Sequence, residues 1–373
     1  MKMESTAKYW VGFSRAAGIG AVRLRLLLDH FGDIASAWRA DEAALRASGL
    51  GVHAVAGIVE ARRTLDLEKE IERLTRGGFE ILTWEDPSYP AHLLEIASPP
   101  IVLYCWGGLD RADRHAAAIV GTRRPTPYGQ AVARDVATAL AVHGVTVVSG
   151  LARGVDSLAH RAALDAGGRT LAVLGSGLDQ IYPPEHRGLA EEIAAQGAIL
   201  TEYPLGTRPE AGNFPVRNRI VAGLAKVLVV VEAGDASGAL ITAEFAADQG
   251  REVFAVPGSI YSRASRGANR LLLQGAIPLV SPEDVLEALA IPSPAPPVTD
   301  EVVSLGTDLE SQLAGLLSDE PLHADDIVAR THRTPSEVVA ALAMLELQGR
   351  AVQVGGMHYV RARVPRRVAE GVG

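Results

Sequence analysis

Between residues 116 and 280 the chain repeats one pattern: a short run of Ala, Val, Ile and Leu, a turn, and then an amphipathic stretch. The apolar runs are AAAIVG (116–121), VTVVSG (145–150), TLAVLG (170–175), AILTEY (198–203), KVLVVVEA (226–233), EVFAVPG (252–258) and AIPLV (276–280). Stretches such as YGQAVARDVATALAVHG and VDSLAHRAALDAGG lie between them and gather their apolar residues on one helical face. A strand that is apolar on both sides must be covered on both sides, and a helix after each strand brings the chain back for a parallel neighbour. The pattern therefore predicts an α/β domain, Rossmann-like and doubly wound, with a mainly parallel sheet. FEILTW and PPIVLYCWGG extend the strand pattern upstream, which places this domain over 77–290.

The flanks read differently. Residues 1–76 are expected to be a helical domain, in which RAAGIGAVRLRLLLDHFGD and LRASGLGVHAVAGIVEARR each carry a G-[IL]-G turn followed by an apolar helix. This is similar to a tandem helix-hairpin-helix or SAM-like module, whose glycine turn offers N–H groups to a phosphate. Arg23, Arg25, Arg62 and Arg63 suit that reading; two helical hairpins that need glycine only to turn suit the same residues equally. IPSPAPPVTDEVVSLG (291–306) is a Pro-rich linker, because its prolines remove backbone donors and its composition packs no core. Residues 307–361 predict three helices and a β-hairpin, a winged helix followed by a tail over 362–373. That unit holds four Arg and no Lys against eight Asp and Glu, which favours contact with protein over contact with duplex DNA.

The formal net charge of -8 opposes nonspecific coating of nucleic acid, yet leaves room for a local basic groove. A single cysteine, Cys105, excludes an intramolecular disulfide and a cysteine-rich zinc site, and no metal or cofactor is expected. No apolar run approaches the ~20 residues that span a bilayer, so the expected setting is cytoplasmic and free of membrane.

Most strands of the repeating block end in glycine: Gly121, Gly150, Gly175 with Gly177, Gly234 and Gly258. In an open parallel sheet such turns line the crevice at the strands' carboxyl ends, where unpaired N–H groups of the following helices meet anions. Neither a dinucleotide fingerprint nor a P-loop is present. The turns carry arginine instead: Arg123 and Arg124, Arg153, Arg187, Arg217 and Arg219. Guanidinium forks bind phosphate bidentately and tolerate partial burial, and each also has an ion-pair reading among 44 acidic residues. Asp156 and His160 stand at i and i+4 with no third metal ligand in view, which favours a structural hydrogen bond.

Taken in order, GTRRPTPYG, SGLARGVDSLAH, VLGSGLDQIYPPEH, FPVRNRIVAGLA, VVVEAGDASGALITAEFA and VFAVPGS with RGANRLLLQGA resemble the DNA-processing protein A (DprA/Smf) family over most of 80–290. The resemblance implies an extended Rossmann-like domain that binds single-stranded DNA, protects incoming strands in natural transformation and loads the recombinase RecA, acting as a homodimer and not as an enzyme. It points to Gly121, Thr122 and Arg123 in the G-[ST]-R turn, to Arg187 as a second cationic position, and to Arg217, Asn218 and Arg219 at the same edge. Gly150, Arg153, Gly154, Gly175, Ser237 and Gly238 complete the expected strand-binding set, with Phe214 and Tyr182 as stacking partners or core aromatics. Aromatic residues are only 5% of the chain, so binding is expected to lean on phosphate contacts. Of the RNR arginines, which cannot share a helix face, Arg217 is expected to reach the phosphate while Arg219 anchors the turn.

A second reading is a nucleoside-phosphate hydrolase of the lysine-decarboxylase-like Rossmann group. EAGDASGALITAE keeps Gly238, Thr242 and Glu244 in a similar sense but lacks that group's paired P-G-G. A purely protein-binding scaffold is the third, and it leaves the arginines unexplained.

Overall fold

In the computed structural model, which describes residues 4–292, 309–318 and 321–361, the upstream runs form β1 (Phe79–Thr83) and β2 (Val102–Gly107). The repeating block supplies β3 (Ala116–Val120), β4 (Thr146–Ser149), β5 (Thr170–Val173), β6 (Ala198–Thr201), β7 (Val227–Val230), β8 (Glu252–Ala255) and β9 (Ile277–Pro278). They make one nine-stranded sheet of order β1-β2-β6-β5-β4-β3-β7-β8-β9. From β6 to β9 every pairing is parallel, while β2 pairs antiparallel with both β1 and β6 and widens the sheet beyond the doubly wound core. The expected α/β class and mainly parallel sheet are observed.

Helices α1 (Glu4–Arg15), α2 (Ala21–Phe31), α3 (Ile34–Arg39), α4 (Glu42–Ala47), α5 (Val52–Thr64) and α6 (Leu67–Arg76) precede the sheet. Among the strands lie α7 (Ala91–Leu94), α8 (Pro127–Val142), α9 (Val155–Asp165), α10 (Arg187–Gln196), α11 (Asn213–Leu224), α12 (Gly238–Asp248), α13 (Arg266–Leu273) and α14 (Pro282–Ala288). Because side chains alternate along a strand, Ala117 and Ile119 of β3 pack with α8, α9 and α14, whereas Ala118 and Val120 pack with α11 and α12. Burying an Ile or Val side chain such as Ile119 or Val120 contributes on the order of 2 kcal/mol, and each alanine methyl less than half of that. The N-terminal helices are continuous with this core: Trp10, Phe13 and Leu24 share one cluster with Tyr104, Ala172, Ile193 and Ile199.

The chain divides into two compact units, Met1–Ser293 and Pro294–Gly373. The second contains α15 (Leu309–Leu316), α16 (Ala324–Thr331) and α17 (Pro335–Leu347), with the strands β10 (Leu322–His323), β11 (Ala351–Gly355) and β12 (His358–Arg361) ordered β10-β12-β11. Its own core holds Leu313, Ile327, Val338, Leu342, Leu345 and Tyr359, which is the winged-helix arrangement expected from the sequence. The expected linker from residue 293 onward and the tail over 362–373 lie outside the described residues.

Candidate functional site

The chain steps from β3 through β4 and β5 to β6, then returns to the other side of β3 as β7. Adjacent strands whose connections leave in opposite directions open a crevice at their carboxyl ends. Here that crevice is a cleft of about 820 Å³. The turn after β3 lines it with Gly121, Thr122 and Arg123, the turn after β4 with Gly150, and the first turns of α11 and α12 with Phe214, Arg217, Asn218, Ser237 and Gly238. Nine residues of the expected strand-binding set, drawn from four separate turns, therefore meet at one place.

Arg123 is exposed, and among the described residues no carboxylate pairs with it. Its guanidinium carbon stands 5.9 Å from the centroid of the half-buried Phe214 ring, whose other neighbour is Tyr182 at a centroid separation of 5.7 Å. One cation and two aromatic faces thus border the cleft mouth, an arrangement suited to a phosphate beside a stacked base. Arg153 lies in a shallow annex with Arg123, Tyr182 and Phe214, but its Nε donates to Glu185 Oε1 at 2.6 Å. That bond raises the Arg153 pKa and lowers that of Glu185.

The expected roles of the RNR arginines need correction. Arg217 is only 4% exposed, and its Nη1 donates to the carbonyls of Gly150, at 2.7 Å, and Val173. Burial pushes the guanidinium down to about 10, an effect that the Asp156 carboxylate opposes and Arg123 reinforces. Asp156, raised by burial and held down by Arg217, accepts from the N–H groups of Gly150 and Ala152 at 3.1 and 3.3 Å. Arg217 therefore ties the turns after β4 and β5 together beneath the cleft and is not an outward phosphate ligand. Arg219, two residues on and so on another helix face, grips Glu202 with both Nη atoms at 2.6 Å and donates from Nε to Ser98 O at 3.0 Å. It does not line the cleft, contrary to its place in the expected strand-binding set, and its guanidinium is taken up by Glu202 and the Ser98 carbonyl.

Two further candidates, both glycines, sit beside the cleft, and Arg187 is not among the residues that line it. Gly154 has φ +80, and a Cβ there would strike the Thr122 carbonyl and the Arg123 backbone, so only glycine lets α9 start against this turn. A Cβ on Gly175 would lie 3.1 Å from the Phe214 ring. Arg187 opens α10, exposed and without a carboxylate partner among the described residues.

Asp156 and His160 do not bond to each other. His160 Nδ1 donates to Thr170 Oγ1 at 2.6 Å, and that hydroxyl donates onward to Val147 O, so the histidine is structural as expected. Among the described residues no group of three potential metal ligands occurs, and no helix is long and apolar enough to cross a membrane. The arginines of the first helices are all engaged: Arg25 with Leu94 O and the Trp84 ring, Arg62 with Ala37 O and Ala40 O, Arg63 with Glu60, and Arg23 with Gly18 O. Sequence reasoning missed Glu232, which is 2% exposed and bonds to Thr126 through both carboxylate oxygens. Its only sequence signal is an acid closing an otherwise apolar strand, VLVVVEA.

The model of the family described as DNA recombination-mediator protein A matches residues 80–290, and the DprA winged helix domain matches residues 291–357. Protein Smf of Synechocystis sp. is 39% identical over 96% of this chain and 99% of its own length. The X-ray structure of DNA processing protein A from Streptococcus pneumoniae superposes with a TM-score of 0.67 at 33% identity, over 75% of this chain and 97% of that one. A Helicobacter pylori structure, described as giving insights into the unique single-stranded DNA binding mode of DNA processing protein A, superposes with a TM-score of 0.51 at 34% identity, over 57% and 96%. With its switch-point cleft and nearly all of its sheet and winged helix in the matched regions, this chain belongs to the DNA recombination-mediator protein A (DprA/Smf) family.

Proposed function

We propose that the chain binds single-stranded DNA at the switch-point cleft and works as a recombination mediator, protecting incoming strands and loading RecA in natural transformation. The observation that carries this reading is Arg123, whose guanidinium has no carboxylate partner among the described residues and is set against the Phe214 ring at the cleft mouth. The Helicobacter pylori relative, described by its single-stranded DNA binding, supports the ligand class. The strand-binding set comprises Gly121, Thr122, Arg123, Gly150, Phe214, Asn218, Ser237 and Gly238 at the cleft, with Arg153 along its margin and Arg187 at the start of α10. Arg217, Gly154 and Gly175 shape it from behind. The division into a helical domain (1–76), a DNA-binding domain (77–290), a linker (291–306) and a winged-helix domain (307–361) belongs to the same proposal, as does a cytoplasmic setting.

A non-enzymatic role is favoured over the hydrolase reading because Glu244, the acid that reading relies on, is exposed and does not line the cleft. A homodimer is favoured by Leu273, Ile277 and Val280, which are 91%, 41% and 83% exposed around the edge strand β9. On the winged helix, α17 leaves Val339, Met344 and Leu347 in solvent, flanked by Glu337 and Glu346, a face suited to protein and not to phosphates.

The test is a titration of labelled single- and double-stranded oligonucleotides at several salt concentrations. The proposal expects single-strand preference and a log-log slope of roughly -0.7 per phosphate contact. Equal affinity for duplex, or no binding at low salt, overturns it. Release of base from nucleoside monophosphates would establish the hydrolase instead.

A further inference from the structure

The turn that carries Arg123 is fastened at both ends to one residue of the neighbouring strand's exit. Glu232 accepts from Thr122 N through its backbone carbonyl at 2.7 Å. Its carboxylate accepts from Thr126 N at 2.9 Å through Oε2 and from Thr126 Oγ1 at 2.6 Å through Oε1. The same hydroxyl accepts from Gly129 N at 3.2 Å and so starts α8, and a Cβ at Gly129 would collide with Oε2. Between the two fastenings, Arg124 N donates to Thr122 Oγ1 at 3.2 Å and Arg123 projects toward the Phe214 ring.

Both oxygens are engaged within the protein and Glu232 does not line the cleft, so a ligand there does not touch it. Its charge by itself opposes a phosphate nearby. What it contributes is position. A short loop closed by hydrogen bonds at both ends loses little further entropy when its central side chain meets a ligand, which is the physical content of preorganisation.

We infer that Glu232 is a positioning residue for strand binding: it clamps the turn from Thr122 to Thr126 so that the Arg123 guanidinium is held over Phe214 at the cleft mouth. This rests on the single-stranded DNA reading. The test is therefore a double-mutant cycle on the full chain, with wild type and Arg123→Ala measured first against a labelled oligothymidylate across a salt series. If wild type fails to bind, the functional reading fails and the clamp falls with it.

Given binding by wild type, Glu232→Ala is expected to weaken affinity about tenfold and to reduce the log-log salt slope by roughly the ~0.7 of one phosphate contact, as Arg123→Ala does. In the Arg123→Ala background the same change is expected to matter less than about twofold, because coupled residues are not additive. Thr126→Val, which removes the hydroxyl from the other side of the clamp, should follow Glu232→Ala in slope and in coupling, and keeps the test alive if Glu232→Ala does not fold. Additive losses with Arg123→Ala, or an unchanged slope in both clamp variants, would overturn the inference. A merely structural Glu232 would lower thermal stability without moving the slope.

Discussion

Arg123 and Arg217 both border one cleft and have opposite physics. Arg217 is buried and satisfies two strand-end carbonyls, so Arg217→Met leaves Gly150 O and Val173 O unpaired and Asp156 without its cation. Urea denaturation should register a loss of about 2–4 kcal/mol. Arg123 is exposed and has no carboxylate partner among the described residues, so Arg123→Ala should change stability by less than ~0.5 kcal/mol while weakening oligonucleotide binding. Equal destabilisation by both would contradict this division. His160 adds a pH prediction: burial, with His186 and Arg217 near it, depresses its pKa from 6.5 to about 3. Below pH ~6.5 the unfolded state takes a proton that the folded state refuses, so this contribution is full above that pH. It falls by about 1.4 kcal/mol per unit down to the folded pKa. His160→Leu should flatten that part of the acid limb in denaturation measured from pH 7 to 4.5.

At the level of elements, α9 depends on the turn it starts against. Gly154→Ala places a methyl group against the Thr122 carbonyl in a backbone conformation that side chains avoid, which should cost about 2 kcal/mol or more and shift the Arg123 turn. Loss of oligonucleotide affinity should therefore accompany the lowered urea midpoint, whereas a purely local strain would leave affinity intact. The strands and helices of the parallel block were legible because burial on both faces leaves little but Val, Ile, Leu and Ala in a strand such as AAAIV. The antiparallel sense of β1 and β2 was not, since an apolar run carries no mark of its direction. The cleft was legible as a set of glycine and arginine turns, but the task of each arginine was not. Arg217 is set by carbonyls 67 and 44 residues away, and Glu232 by a threonine 106 residues away. Those are facts of tertiary placement that no local spacing encodes.

For the whole molecule, a formal charge of -8 means that a polyanion is attracted only where cations are concentrated, so a single cleft gives a short-ranged grip on a long strand. On the proposed homodimer, two clefts would turn the second contact into an intramolecular event and raise apparent affinity for strands long enough to reach both. Leu273 and Val280 are the most exposed large aliphatics around β9, and a twofold interface counts each of them twice. At ~2 kcal/mol for each aliphatic buried, Leu273→Glu combined with Val280→Glu should weaken dimerisation by more than ~100-fold in sedimentation equilibrium. Leu347→Glu, 83% exposed on α17 of the separate winged helix, should leave the dimer intact. The monomeric variant should bind an oligonucleotide that fills one cleft as tightly as wild type does, because the residues around Arg123 are untouched. Its affinity for a strand several times longer should drop at least tenfold, the signature of lost bivalency. If short and long strands lose affinity equally, the surface around β9 supports the cleft itself and does not join two copies of the chain.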